Sequence, residues 1–111
     1  MRFKIYGIDG KVEEIEAIAD TGATFAKIPR NIASKIGLTP RYEREFEQGD
    51  GRTIKRKIAV AEVGVEGEKG TIPIAIGEEG ERCVLGYTSL EILGFKANPV
   101  TCKLEKVKAI E

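Results

Sequence analysis

Apolar residues in this chain recur at every second position, in short runs that glycine repeatedly interrupts. That rhythm admits strands and leaves little room for long helices. Side chains on a strand alternate between two faces, whereas an amphipathic helix needs apolar residues three and four apart. Phe3 and Ile5 flank Lys4, and Asp9-Gly10 then supplies a two-residue hairpin signal. A return strand is predicted from about Lys11 to Ala19, with Val12, Ile15, Ala17 and Ala19 mostly inward and the Glu13-Glu14 pair marking a bulge or an edge. Helical spacing occurs in two places. Ile32, Ala33 and Ile36 follow Pro29, which suits a first turn, and precede Gly37; Ser89 to Leu93 precede Gly94, with Thr88 or Ser89 as the cap.

Between the helices the pattern is extended. Tyr42, Arg44, Phe46 and Gln48 share one parity, the segment Gln48-Gly49-Asp50-Gly51-Arg52 breaks it, and Thr53 to Val65 returns as a long strand. Polar residues on both arms near the tip predict a hairpin that projects beyond the core. With its glycine-rich tip it is either a mobile cover or a plain surface hairpin. Gly70 to Ile76 alternates again, with Pro73 implying an edge or a locally unpaired position. Cys83-Val84-Leu85 reads as a buried strand ended by Gly86, and Val100 to Val107 as a final strand. Strand, glycine loop and short helix ending in glycine occur both around Asp20 to Gly37 and around Leu85 to Gly94, a weak internal echo. Many short strands, two short helices and no strand-helix-strand spacing predict a mostly-β, barrel-like domain. No linker divides residues 1–111, which are expected to form one domain.

Composition removes several classes of function. Lys and Arg number 18 and so do Asp and Glu, giving a net charge of zero, so neither nucleic acid nor a membrane surface is an expected partner. The basic run Lys55-Arg56-Lys57 reads as a solvated arm, because no aromatic stacking set accompanies it. The start Met1-Arg2-Phe3-Lys4-Ile5 lacks the apolar core of a signal peptide, and a cytoplasmic location is expected. Cys83 and Cys102 are far apart and have no His to join them in a zinc site, so both are expected as buried free thiols. The lack of any His also excludes Ser-His-Asp and Cys-His catalysis, which need an imidazole base. Hydrolytic chemistry is left to carboxylates, Lys or a borrowed metal.

One carboxylate stands out. Ala19-Asp20-Thr21-Gly22-Ala23-Thr24 puts an acid, a hydroxyl and a glycine in succession after an apolar strand. Asp and Gly are common turn residues, so the segment is either a plain turn or a loop holding a reactive group still. Its sequence context decides. Asp20-Thr21-Gly22-Ala23 after an apolar strand, the glycine-tipped hairpin near Gly49 to Gly51, and Val84-Leu85-Gly86 before the helix Leu90 to Gly94 together resemble the retropepsin-like (retroviral-type) aspartic proteases, in that family's order and over nearly the whole chain.

The resemblance implies a small closed β-barrel-like acid-protease fold with a flap hairpin and one or two short helices. It implies a homodimer acting on peptide or protein substrates, with Asp20, Thr21 and Gly22 as catalytic residues. Gly22, Ala23, Thr24, Gln48, Gly49, Asp50, Gly51 and Arg52 would bind substrate, and no cofactor or metal is implied. The chain carries a single Asp-Thr-Gly, so a carboxylate dyad needs a second copy. In the retroviral enzymes, acidic residues after the small-residue motif and an Arg after the downstream glycine form a supporting ion pair; here those places hold Thr24, Phe25 and Tyr87. That departure keeps an alternative open, a catalytically weak or inactive dimeric peptide-binding or structural module with the same fold. By parity, a specificity pocket would be lined by Ile28, Ile54 and Val84 and would favour apolar side chains.

Overall fold

Residues 1–101 and 103–111 are described in a computed structural model of the chain; Cys102 lies outside the described residues. The first hairpin pairs β1 (Arg2–Tyr6) with β2 (Val12–Glu16), Arg2 opposite Glu16 and Tyr6 opposite Val12. Asp9 and Gly10 both take positive φ, at 53° and 74°, as their sequence anticipates, but within a 3-10 turn at Ile8–Gly10 rather than a two-residue loop. Phe3, Ile5 and Ile15 are buried and Glu14 and Glu16 exposed, whereas Val12, expected inward, is exposed at the rim.

The expected strand from Lys11 to Ala19 is bent at Ala17 into β2 and β3 (Ile18–Asp20). The Ala17 N–H donates to the Met1 carbonyl at 2.8 Å, while the Ile18 N–H donates to the Cys83 carbonyl at 3.1 Å. Successive amides on a strand point opposite ways, so the chain leaves β1 and joins β8 (Val84–Gly86) within one residue. The main sheet runs β2-β1-β6-β7-β4-β8-β3, with β4 at Ala26–Pro29, β6 at Thr53–Val65 and β7 at Glu68–Gly77, and β5 (Tyr42–Glu47) pairs β6 off this path. Its two end strands are therefore halves of one bent segment. They cannot pair with each other, and the sheet wraps round without closing as the expected barrel. The Glu13-Glu14 pair does mark an edge, since β2 ends the order.

Two short helices follow strands that enter the core. α1 (Arg30–Lys35) starts at Pro29, which caps it from the end of β4, and stops before Gly37 at φ 72°. α2 (Tyr87–Leu93) is capped by Gly86, not by Thr88 or Ser89, and ends at Gly94 with φ 81°. Ser89 is instead fully buried, its hydroxyl without a partner among the described residues. The strand, glycine loop and helix echo is present in both places. β9 (Phe95–Ala97) and β10 (Leu104–Lys106) form a separate small hairpin. The expected strand from Val100 to Val107 is thus shorter. The Asn98 side chain accepts from the Val100 and Thr101 amides at 2.8 and 3.0 Å, which makes Val100 part of the turn.

One apolar cluster holds these elements together, centred on Ile5, Ile28, Val63, Ile72, Ile74, Leu85 and Phe95. Each such side chain contributes about 1.5–3 kcal/mol on leaving water. On β6 the buried parity switches: Ala61, Val63 and Val65 belong to this core, whereas Arg56 and Ile58, one step out of phase, are buried outside it, and Ala59 is buried between the two sets. The β6–β7 ladder continues through the switch without a break in register, so the core ends there and a second buried face begins. Pro73 is not on an edge strand, since β7 lies between β6 and β4. Pairing with β4 starts only at Ile74, however, so one flank at Pro73 is open. Among the described residues no helix is long and apolar enough to cross a membrane.

Candidate active site

Asp20 ends β3, directly opposite Gly86 in the parallel pair with β8. The chain turns at once. Asp20 Oδ1 accepts from the Gly22 N–H at 2.9 Å, and the Ala23 N–H donates back to the Asp20 carbonyl at 3.1 Å. This is the turn geometry expected of Asp followed by Gly, yet it leaves the Asp20 side chain exposed rather than consumed. The turn and the presented carboxylate are one structure.

The loop is fixed from behind by the Leu-Gly element. The Tyr87 N–H donates to the Ala23 carbonyl at 2.8 Å and the Thr88 N–H to the Thr24 carbonyl at 3.3 Å. Such an approach leaves no room for a side chain at Gly86. A Cβ on Gly86 would lie 2.6 Å from both the Ala23 and Phe25 carbonyl oxygens, closer than real Cβ contacts come. Leu85 beside it is fully buried. Gly22 is tight in a milder way, a Cβ there standing 3.2 Å from Asp20 Oδ1.

A groove of about 640 Å³ lies between this loop and the β5–β6 hairpin. Asp20, Gly22, Ala23 and Thr24 border it on one side, Gln48 and Gly49 on the other. Thr21, Asp50, Gly51 and Arg52 do not border it. The hairpin tip folds on itself: Asp50 accepts from the Arg52 amide at 3.0 Å and from its Nε at 2.8 Å, while the Gln48 N–H donates to the Arg52 carbonyl at 2.7 Å. Ile54 and Val84 border the groove, but Ile28 is fully buried in the core and cannot line a pocket. Where an ion pair would be expected beyond the loop, aromatic packing is found. Phe25 meets Phe46 edge-on at 5.7 Å between centroids, and the Arg44 guanidinium lies 5.3 Å from the Phe25 centroid. Tyr87 contributes its amide to the loop and keeps its ring exposed.

Five charged residues that border the groove were not anticipated as site residues, Lys27, Arg44, Glu45, Glu47 and Arg56, and neither was Glu81, which pairs with two of them. Arg56 Nη2 donates to both Glu81 oxygens at 2.9 and 3.1 Å, and Lys27 Nζ lies 3.0 Å from Glu81 Oε2. Burial alone would raise the Glu81 carboxyl, but the bonds from Lys27 and Arg56 outweigh it and hold the group below its ordinary range. Arg56 is buried, contrary to its expected solvated place between Lys55 and Lys57, which are exposed. Its parity with Ile54 and Ile58 is the sequence signal that places it inward. Cys83, expected buried, is half-buried, and burial pushes its thiol up against the opposing pull of Lys27. Among the described residues no group of three or more His, Cys, Asp or Glu side chains could hold a metal ion.

Comparison with known proteins follows the same lines. Residues 6–91 match the family model described as "gag-polyprotein putative aspartyl protease". No curated protein matches the sequence. Among solved structures the chain is similar to the protease of simian foamy virus (mac), with a TM-score of 0.59 over 82% of this chain and 90% of that one, at 15% identity. At that identity the likeness concerns the fold, and the family rests on the match through the Asp20 loop, the hairpin and the Leu-Gly element: the chain belongs to the gag-polyprotein aspartyl protease family, with a retropepsin-like fold.

Proposed function

We propose that the chain is an aspartic endopeptidase, one domain over residues 1–111, whose carboxylate dyad is made by the Asp20 of each copy in a homodimer. The observation that carries this reading is a single exposed carboxylate on a loop braced from behind by Gly86 and α2, at the border of a groove of about 640 Å³. One carboxylate alone cannot act as base on the water and as acid on the carbonyl in the same step. A twofold axis near Gly22 supplies the second.

Two carboxyls brought that close cannot both be ionised and share one proton, as aspartic-protease dyads do. The ionised member takes a proton from a water held between them, and the water oxygen attacks the scissile carbonyl carbon. The protonated member donates to the carbonyl oxygen. The C–N bond then breaks as the first member gives its new proton to the leaving amine and a hydroxyl of the diol returns a proton to the second, which leaves the acid product and the singly protonated dyad. Thr21 braces the two loops across the axis, and Gly22 lets the peptide backbone come close. The β5–β6 hairpin acts as the flap, with Gln48 to Arg52 at its tip closing over a substrate that pairs as an added strand.

Asp20→Asn should lower peptide cleavage by about a thousandfold or more while sedimentation still shows a dimer. Retained cleavage in that variant would end this reading. The replacement of the supporting ion pair by Phe25 packing favours a second one, a dimeric peptide-binding module; peptide binding by the unaltered chain without cleavage from acid to neutral pH would select it.

A further inference from the structure

Arg44 and Arg56 stand directly opposite each other across the β5–β6 ladder. Like charges in that position repel, and Lys27 brings a third cation to the same groove. Glu81 serves both Arg56 and Lys27. Among the described residues Arg44 makes no ion pair, and its guanidinium rests over Phe25. Arg56, with 9% of its side chain exposed, donates through Nη2 alone among the described residues. Its Nε and Nη1 hydrogens are left for an incoming group.

The acids of β5 do not offset this. Glu45 and Glu47 also border the groove, but the contacts of Arg44 and Phe46 with Phe25 fix which face of β5 looks inward. Alternation sends Glu45 and Glu47 to the other face, where Glu45 stands across from Lys55. The cluster is also given room. A Cβ on Gly77 would come 2.6 Å from Glu81 Oε2 and 3.2 Å from Lys27 Cδ.

We infer that Lys27, Arg44 and Arg56 form a subsite for an acidic side chain, glutamate or aspartate, of an extended peptide held in the groove. This rests on the peptidase reading above and adds a specificity to it. Lys27 pairs with Val84 and Asp20 with Gly86, so Lys27 lies two strands and two residues from Asp20, on the order of 11 Å at ordinary strand spacings. An extended peptide covers that distance in roughly three to four residues. A carboxylate there takes charge-assisted bonds from the two guanidinium groups and relieves the Arg–Arg repulsion.

The test uses the full chain and a randomised library of decapeptides with amidated C-termini, so that no terminal carboxylate competes. Cut positions are read by mass spectrometry, and matched Glu and Gln peptides then give a ratio of kcat/KM. Glu should be favoured over Gln by about tenfold at one position, roughly three to four residues from the cut. Arg44→Glu should invert that ratio and favour Lys. No preference for acid at any position, or a preference unchanged in Arg44→Glu, overturns the subsite. Selection of the same library on Asp20→Asn protein separates this from the reading beneath it. Enrichment of acidic peptides there, without cleavage by the unaltered chain, removes the peptidase and keeps the subsite; if no peptide is cut or retained, the subsite falls too.

Discussion

Two glycine-bearing regions face each other across the groove, and their glycines serve opposite purposes. At Gly86 there is no space: carbonyl oxygens of the Asp20 loop occupy the position a Cβ would take. At Gly49 and Gly51, in the hairpin tip, nothing lies within 4 Å of an added Cβ, and Gly51 is needed for its φ of 85°. The first glycine permits close packing and immobilises a carboxylate. The second region has open space and a left-handed residue at its tip, and below the tip Phe46 meets Phe25 edge-on. In the proposed peptidase, the braced loop would hold the acid still while the open hairpin tip admits and covers a peptide. The same residue type achieves both ends because in one place its missing side chain matters and in the other its backbone range.

Substitutions on the two sides should therefore differ in kind. Gly86→Ala should cost about 3 kcal/mol or more in a denaturant melt, since the obstructing atoms are backbone carbonyls that cannot step aside. A cost under about 1 kcal/mol would mean the loop yields and is not clamped. Next in size is the pair behind the groove. Glu81→Gln should lose about 1.5 kcal/mol near neutral pH, because two charge-assisted bonds are weakened. The folded state holds Glu81 below its ordinary range, so its contribution is present above that range and is lost as pH falls through it. The gap in stability between the unaltered chain and Glu81→Gln should thus narrow on acidification, as melts from neutral pH downward would show. Gly49→Ala should be smallest, within about 0.5 kcal/mol in stability, since open space surrounds it and its φ is not left-handed. Its effect should appear instead in faster or slower peptide turnover at unchanged melting temperature.

Much of this arrangement was legible in the residues, for physical reasons that also explain the gaps. Period-two alternation fixed β1, β5, β6 and β7, and Gly37 and Gly94 ended both helices because a left-handed residue is what stops them. Wrapping was not legible: the bend at Ala17 depends on its amide pairing with Met1 and the next with Cys83, which are distant in sequence. Pro73 suggested an edge or a locally unpaired position because a proline cannot donate, and the second holds: its strand is internal but has one open flank at that row. Asn98 shortened the last strand through side-chain bonds that mimic a turn. At the site, Asp20, Gly22, Ala23, Thr24, Gln48 and Gly49 border one groove, whereas Thr21, Asp50, Gly51 and Arg52 do not. Arg56 was obscured by its basic neighbours, though the phase change from Ile54 and Ile58 to Ala59 and Ala61 was there to place it inward. Glu81 had no signal at all, as its partners lie on β4 and β6.

The central claim is that Asp20 acts only in pairs. Unaltered and Asp20→Asn chains, refolded together in varied proportion at constant total concentration, test it through the rate of peptide cleavage. If each site needs both carboxylates, activity falls as the square of the unaltered fraction, to about a quarter in an equal mixture. Activity that falls in simple proportion, to about a half in that mixture, would show that one Asp20 suffices and would contradict the shared dyad.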